Sequence, residues 1–285
     1  MGRAAAGGGA VSRPERAGPG TYALLGVLTA VSLFPLLWTA VAASRSSTRL
    51  AAAPPPLWFG RNLPRNLGIA WTEGGLGEAI VNTAVVAGAV AAGTVLFSTL
   101  AGFAFAHLRF RFRSALLFLV GATMLIPPQL GVVPLYLLVA RLRWTDGLQA
   151  VILPALVSAF GVFFMRQHLR RALPRELLEA ARVDGAGTVR VLWHLVLPAA
   201  RPAAAVLGML SFVAAWNDFF WPVLVLTQTG NPTVQVALTG LGRGHVPDQS
   251  VVMAGALLGT LPLLVVLAVF GRQIVGGVMR GAVKG

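Results

Sequence analysis

Apolar runs of roughly 20 residues recur along the 285-residue chain, at about 21–43, 79–106, 114–140, 148–165, 202–226 and 250–274. Each is long enough, or nearly so, to cross a hydrocarbon core about 30 Å thick. Lipid offers no partner for backbone N–H and C=O groups, so segments of this kind must satisfy themselves internally, as helices. One such run would suit a buried core helix of a soluble domain, but six in a chain that is 56% hydrophobic and 11% charged would not. The expected fold class is therefore all-α, a polytopic membrane protein with six transmembrane helices. No soluble domain and no internal repeat is visible.

The formal net charge is +14, from 23 basic and 9 acidic residues. In a soluble protein that excess would suggest nucleic acid, but here the arginines fall in the gaps between apolar runs, where they report topology. Six spans put both termini on one side. Of the 23 basic residues, 16 lie on that side and 7 on the other, which orients both termini and the 166–201 interval toward the cytoplasm of a cell membrane. The chain has no cysteine, which excludes disulfides and thiolate chemistry.

Residues 1–20, rich in Gly and Ala, lack hydrophobic periodicity and are expected to be a disordered cytoplasmic tail; the transmembrane domain is 21–285. Ala40–Ala42 offers a signal-cleavage-like pattern, yet the apolar run before it exceeds a signal core and favours a retained anchor. The interval 44–78 holds three consecutive prolines and Trp58 and Trp71, as an interfacial loop would. Prolines 127, 128 and 134 should kink or break the third span.

The interval 166–201 is long, charged and hinged on glycine. Pro174 suits a helix start, Glu176 and Glu179 favour its positive end, and Gly185 and Gly187 should terminate it. Thr188 is placed to cap a second helix, "VRVLWHLVL", ending before Pro198. Two readings of this helix pair stand at this point: an amphipathic pair lying on lipid headgroups, or a docking element for a cytoplasmic partner.

The segment resembles the EAA loop of permease subunits in bacterial ATP-binding-cassette importers. Glu179-Ala180-Ala181 is followed by three residues and Gly185, then by nine residues and Leu195-Val196-Leu197-Pro198. The one departure is Leu195 for the family's Ile, a volume-conserving change. "WNDFFWP" (216–222), "IPPQLGVVPLY" (126–136) and Asn82-Thr83 resemble the carbohydrate-uptake branch. The ending "GAVKG" resembles the tail of its maltose-type six-span partner, although "GRQIVGG" before it lacks the aromatic residues common there. The resemblance covers about 21–285. It implies a cytoplasmic coupling helix seated on an ATPase subunit, with Glu179, Ala180, Ala181, Asp184, Gly185, Ala186, Leu195, Leu197 and Pro198 as coupling residues. It also implies that Gly281, Lys284 and Gly285 form a tail reaching the ATPase dimer. The implied partners are a second permease subunit, two ATPase subunits and an extracytoplasmic sugar-binding protein, with ATP and Mg held by the ATPase and no cofactor on this chain.

A transporter driven by ATP needs a phosphate-cradling loop with a lysine. The only lysine here is Lys284, next to the last residue, so energy must come from a separate subunit. Asp218 is the one acidic residue well inside a span, roughly 24 Å along its helix from Pro202. It reads either as a hydroxyl acceptor on a substrate pathway or as a structural hydrogen-bond partner. Trp216 and Asn217 beside it are weaker pathway candidates. The four histidines have no metal-ligand spacing and pair with no carboxylate as a catalytic base would. The expectation is a non-enzymatic permease subunit of an ATP-driven sugar importer. The alternative is a secondary transporter or channel for a small polar solute.

Overall fold

The architecture is organised along one long helix. In the computed structural model, which describes residues 18–52, 54, 56–227, 230–241 and 248–282, every regular element among those residues is helical. α1 (Pro19–Ala43) leads through the short α2 (Ser47–Leu50) and α3 (Leu63–Thr72) to α4 (Leu76–His107). At 1.5 Å per residue, the 32 residues of α4 extend about 48 Å. This helix is therefore longer than a hydrocarbon core is thick.

α5 (Arg113–Thr123) and α6 (Val132–Arg141) follow, joined through a tight turn at Pro128–Gly131. Next come α7 (Gln149–Ala155), α8 (Ala159–Ala172), α9 (Arg175–Val183) and α10 (Thr188–Val191). A wider π-type turn at Leu192–Val196 links α10 to α11 (Leu197–Trp216). The chain then forms α12 (Phe220–Val225), α13 (Val234–Leu241) and α14 (Gln249–Ala282).

Four stretches are long and apolar enough to cross a membrane as single helices: Pro19–Ala43, Leu76–His107, Thr188–Trp216 and Gln249–Val269. Two more form only as bent pairs, α5 with the segment Pro128–Arg141 (96°) and α7 with α8 (42°). The sharp bend follows from Pro127 and Pro128, which disfavour helix just before them and cannot donate to the ladder. Pro134 behaves differently from the expectation: it sits in the first turn of α6, where its missing N–H has no intrahelical partner to lose. The second bend, at 156–158, was not foreseen; Ser158 restarts the chain by accepting the Gly161 N–H at 3.2 Å as the N-cap of α8.

Three apolar clusters hold the helices together, each built on α4. Leu76 and Ala79 pack with Ala43, Ala70, Val234 and Val251 at one end. Val86 and Val90 pack with Val139, Val151 and Val225 in the middle. Phe103 and Ala106 pack with Met165, Leu169 and Leu207 at the other end. Small residues permit the closest approach: a Cβ on Gly102 would lie 2.8 Å from the Arg166 backbone nitrogen, so α4 and α8 touch through bare backbone here. α1 contributes only Val41–Ala43 to the buried core and exposes its side chains from Thr21 to Leu37, as a peripheral lipid-facing helix would.

The loop after α1 is tied down by polar contacts. Asn66 is buried and donates to the carbonyls of Ala43 (2.8 Å) and Arg45 (2.9 Å), satisfying the end of α1. Arg45 grips the Trp58 carbonyl through Nε and Nη2. Trp58 and Trp71 themselves are exposed, as interfacial anchors are.

Asp248 starts α14 by accepting from the backbone amides of Ser250 and Val251 and from the Ser250 hydroxyl; Ser47 of α2 donates to it at 2.5 Å. Partial burial pushes the carboxyl up, but these donors outweigh it and hold it below the ordinary aspartate value of 3.8. A folded-state pKa below the unfolded one stabilises the protein above the unfolded value, and that contribution is lost as pH falls through the folded value. Asp248→Ala is expected to cost about 0.5–2 kcal/mol, seen as a melting point lower by roughly 2–4 °C per kcal/mol. The variant should also lose part of the parent's destabilisation below pH about 4, where the carboxyl protonates.

Candidate functional site

The glycine-hinged segment forms a helix, a tight turn and the start of a second helix. Pro174 precedes α9 in extended backbone, and Glu176 occupies its first turn. Gly185 adopts φ +74°, the left-handed region that glycine enters without penalty. This lets Gly185 donate to the Arg182 carbonyl (3.0 Å) and Ala186 to the Ala181 carbonyl (2.9 Å). That bond pair closes a helix terminus and turns the chain back.

Beyond the turn the expectation needs correcting twice. Thr188 does not cap; it is the first helical residue, and Gly187 takes the cap position without a side-chain bond. Nor does the second helix end before Pro198, because Thr188–Trp216 runs as one stretch into the fifth span. Pro198 has no N–H for the carbonyl four residues back and would clash with it in a regular helix. The turn at Leu192–Val196 is one residue wider, with the Leu197 N–H reaching back to the Leu192 carbonyl, and the helix passes the proline intact. Such single wide turns recur at functional positions in helices. The charged interval is likewise shorter as a loop than expected, since α8 continues to Ala172 and carries Arg166, Arg170 and Arg171 on its last turns.

The segment is fixed to the membrane helices. Leu178 of α9, Val191 of α10 and Val196 of the wide turn are buried in the same cluster as Phe103 and Ala106 of α4 and Met165 and Leu169 of α8. Ala181, Ala186 and Leu195 pack against it. His168 on α8 bonds through Nε2 to the Ala199 carbonyl of α11 (2.9 Å), and His107 on α4 bonds to the Leu169 carbonyl of α8 (3.2 Å). Leu178 and Ala181 thereby turn part of the apolar surface of α9 against the bundle.

Other residues of the segment project outward. Val183 is 88% exposed, Val189 69% and Trp193 64%. Glu179, Ala180, Asp184, Gly185 and Pro198 are exposed as well, while Leu197 is half-buried. Apolar side chains presented beside a carboxylate and small residues form a surface another protein can cover.

Within the bundle, "WNDFFWP" divides its labour. Trp216 is buried and donates Nε1–H to the Gly259 carbonyl (3.1 Å), joining α11 to α14. Trp221 donates likewise to Ala150 of α7 (2.9 Å). Asn217 turns back to the Val213 carbonyl at 2.8 Å. Of the three pathway candidates, Asp218 lines a cavity of about 360 Å³ together with Thr94, Ser158 and Ser211. A carboxylate among three hydroxyl-bearing residues can exchange hydrogen bonds with a hydroxylated solute. Those three escaped sequence reasoning because uncharged hydroxyl residues are frequent in apolar helices and satisfy themselves locally, as Thr83 and Thr99 do on the carbonyls four residues back. Asn82 and Thr83 are also structural, bonding the Pro232 carbonyl and the Val234 N–H at the start of α13. Gly281 falls in the last turn of α14, and Lys284 and Gly285 lie outside the described residues.

The model of the binding-protein-dependent transport system inner membrane component matches residues 95–279. The chain belongs to that family. Members of this transport family that it resembles include an sn-glycerol-3-phosphate transport system permease protein of Yersinia pestis, 32% identical over 90% of this chain and 93% of that protein. An arabinooligosaccharides transport system permease protein of Halalkalibacterium halodurans is 31% identical over 90% and 92%. A lactose transport system permease protein of Rhizobium radiobacter is 28% identical over 92% and 95%. The fold matches a chain of a bacterial ABC transporter involved in the import of the acidic polysaccharide alginate, with a TM-score of 0.76 at 20% identity, over 88% of this chain and 94% of that one. This transport component is thus an inner-membrane protein of several apolar helices, as its sequence implies.

Gly185 separates backbone conformation from crowding, since a Cβ there would meet nothing within 4 Å. Gly185→Val should therefore lose function through the left-handed backbone alone, at a cost of about 1–2 kcal/mol, whereas Gly185→Asn should retain most of it. Solute uptake by the assembled transporter, compared between the two variants at equal membrane abundance, checks the difference.

Proposed function

We propose that this chain is the permease subunit of an ATP-driven sugar importer and that residues 174–198 are its coupling element. The observation that carries this reading is the shared apolar cluster in which Leu178, Val191 and Val196 are buried against α4 and α8. Force applied to the exposed side of α9 passes into three membrane helices without an intervening flexible joint. Packed interiors move as bodies between discrete arrangements, which is what alternating access requires.

In this reading each bent helix pair counts as one span, giving six, with both termini and the coupling element in the cytoplasm. A second permease subunit completes the pathway, two ATPase subunits bind ATP and Mg and grip the coupling elements, and an extracytoplasmic binding protein delivers the sugar. Glu179 is offered to a basic residue of the motor, while Val183, Val189 and the small surface of Ala180 and Gly185 are covered by it. Nucleotide-driven closure then biases the bundle between inward- and outward-facing states. Relatives that carry lactose and arabinooligosaccharides support a hydroxyl-rich solute, and Asp218 with Ser158, Ser211 and Thr94 is this chain's contribution to its path. This subunit performs no chemistry of its own; hydrolysis belongs to the motor.

The chain has no native cysteine, so Val183→Cys or Val189→Cys introduces a single reactive site on the exposed face. A photoactivatable crosslinker at either position should join this chain to the ATPase of its own transporter in native vesicles. Labelling of the same cysteine by an impermeant reagent from outside intact cells, or absence of any ATPase adduct at both positions, would contradict the proposal.

A further inference from the structure

We infer that the cleft between the α4–α5 turn and α9 binds the headgroup of an anionic phospholipid from the leaflet on the coupling side. The cleft encloses about 510 Å³, lined by His107, Arg109, Phe110 and Arg113 on one wall and Arg175, Glu179 and Arg182 on the other, over Leu178. Four arginines face one carboxylate, so it is strongly cationic at neutral pH. Arg113 is committed, with Nη2 donating to the Phe105 carbonyl at 2.5 Å and to that of Ala106 at the end of α4. The side chains of Arg109, Arg175 and Arg182 are exposed, and among the described residues they form no hydrogen bond or ion pair.

Arg175, Glu179 and Arg182 share one face of α9 at spacings of four and three. Glu179 nevertheless forms no ion pair with either arginine among the described residues, and the four arginines lining the cleft outnumber its one carboxylate by three charges. Like charges held together are costly unless an anion sits between them, and planar guanidinium groups match phosphate oxygens two at a time.

Position selects the lipid as the source of phosphate. His107 is the last residue of α4, whose length of about 48 Å exceeds a hydrocarbon core of about 30 Å, so a helix centred in the bilayer ends in the headgroup layer. The adjoining turn exposes Phe110 and Phe112, and the Arg111 guanidinium lies 4.9 Å over the Phe112 ring. Aromatic side chains interleaved with arginine at this depth fit an anionic membrane surface. Because α9 forms one wall, a bound headgroup would brace the coupling element against α4. The inference concerns membrane placement and stands apart from which solute is carried.

The test uses the full-length chain, delipidated in detergent and titrated with phosphatidylglycerol or phosphatidylcholine, with bound lipid counted by native mass spectrometry. Phosphatidylglycerol should bind about tenfold or more tightly than phosphatidylcholine, and Arg175→Gln with Arg182→Gln should remove that preference, at roughly tenfold or more for the two charges. Arg49→Gln with Arg61→Gln, on the opposite side, should leave it intact. If the α9 pair fails to fold, Arg109→Gln on the other wall should weaken the preference by itself. Equal binding of the two lipids, full binding by the α9 variant, displacement by millimolar inorganic phosphate, or loss of the lipid when the ATPase is added would each overturn the inference. The last two would assign the cleft to a free anion or to an acidic segment of the motor.

Discussion

The attachment of residues 174–198 to the membrane helices depends on one packing contact: the burial of Leu178 and Val191 against Phe103, Ala106 and Leu169. Without it, residues 174–198 would be an amphipathic pair free to lie on headgroups. With it, the segment becomes the lower end of the membrane bundle. Burying such side chains stabilises by about 1.5–3 kcal/mol each relative to leaving them exposed to water, enough that the segment does not detach during ordinary fluctuation. The same contact occupies part of the apolar surface of α9 that a lipid surface would need, while Val183, Val189 and Trp193 stay exposed.

The second requirement is continuity. The glycine turn at 184–187 separates α9 from α10, but from there α10, the wide turn and α11 form one unbroken stretch from Thr188 to Trp216. The wide turn reconciles two demands of the sequence, a proline at 198 and an uninterrupted helix, by letting the Leu197 N–H reach one residue further back. α4 supplies the complementary strut, meeting three clusters along its length. Close contact at Gly102 then ties the strut to α8 through backbone.

Much of this was legible in the residues. The apolar runs located the four long helices and the two bent pairs, because lipid imposes length and composition together, although the run at 202–226 answers to a helix spanning Thr188–Trp216. The turn at Gly185 was legible because a left-handed residue after a helix strongly favours glycine. What sequence could not reveal was context. Pro198 read as a stop because the wider turn that accommodates it has no compositional mark. Trp216 read as a pathway candidate because burial is invisible in a string of letters; its indole N–H is spent on Gly259. Asp218 stood out by charge, while Thr94, Ser158 and Ser211 come together with it only when α4, α8 and α11 converge.

A lever of this kind requires residues 174–198 and the membrane helices they pack against to move as one body. Val183 and Leu96 are both exposed, on α9 and α4 respectively, and the cysteine-free chain accepts a spin-label pair as Val183→Cys and Leu96→Cys. Pulsed electron–electron resonance on the assembled importer reads the distance between them with and without ATP and vanadate. A rigid lever predicts one distance distribution with the same centre in both states, while labels on the two opposed permease subunits change separation. A second population appearing within this chain on nucleotide binding would show the segment swinging independently and would contradict the account.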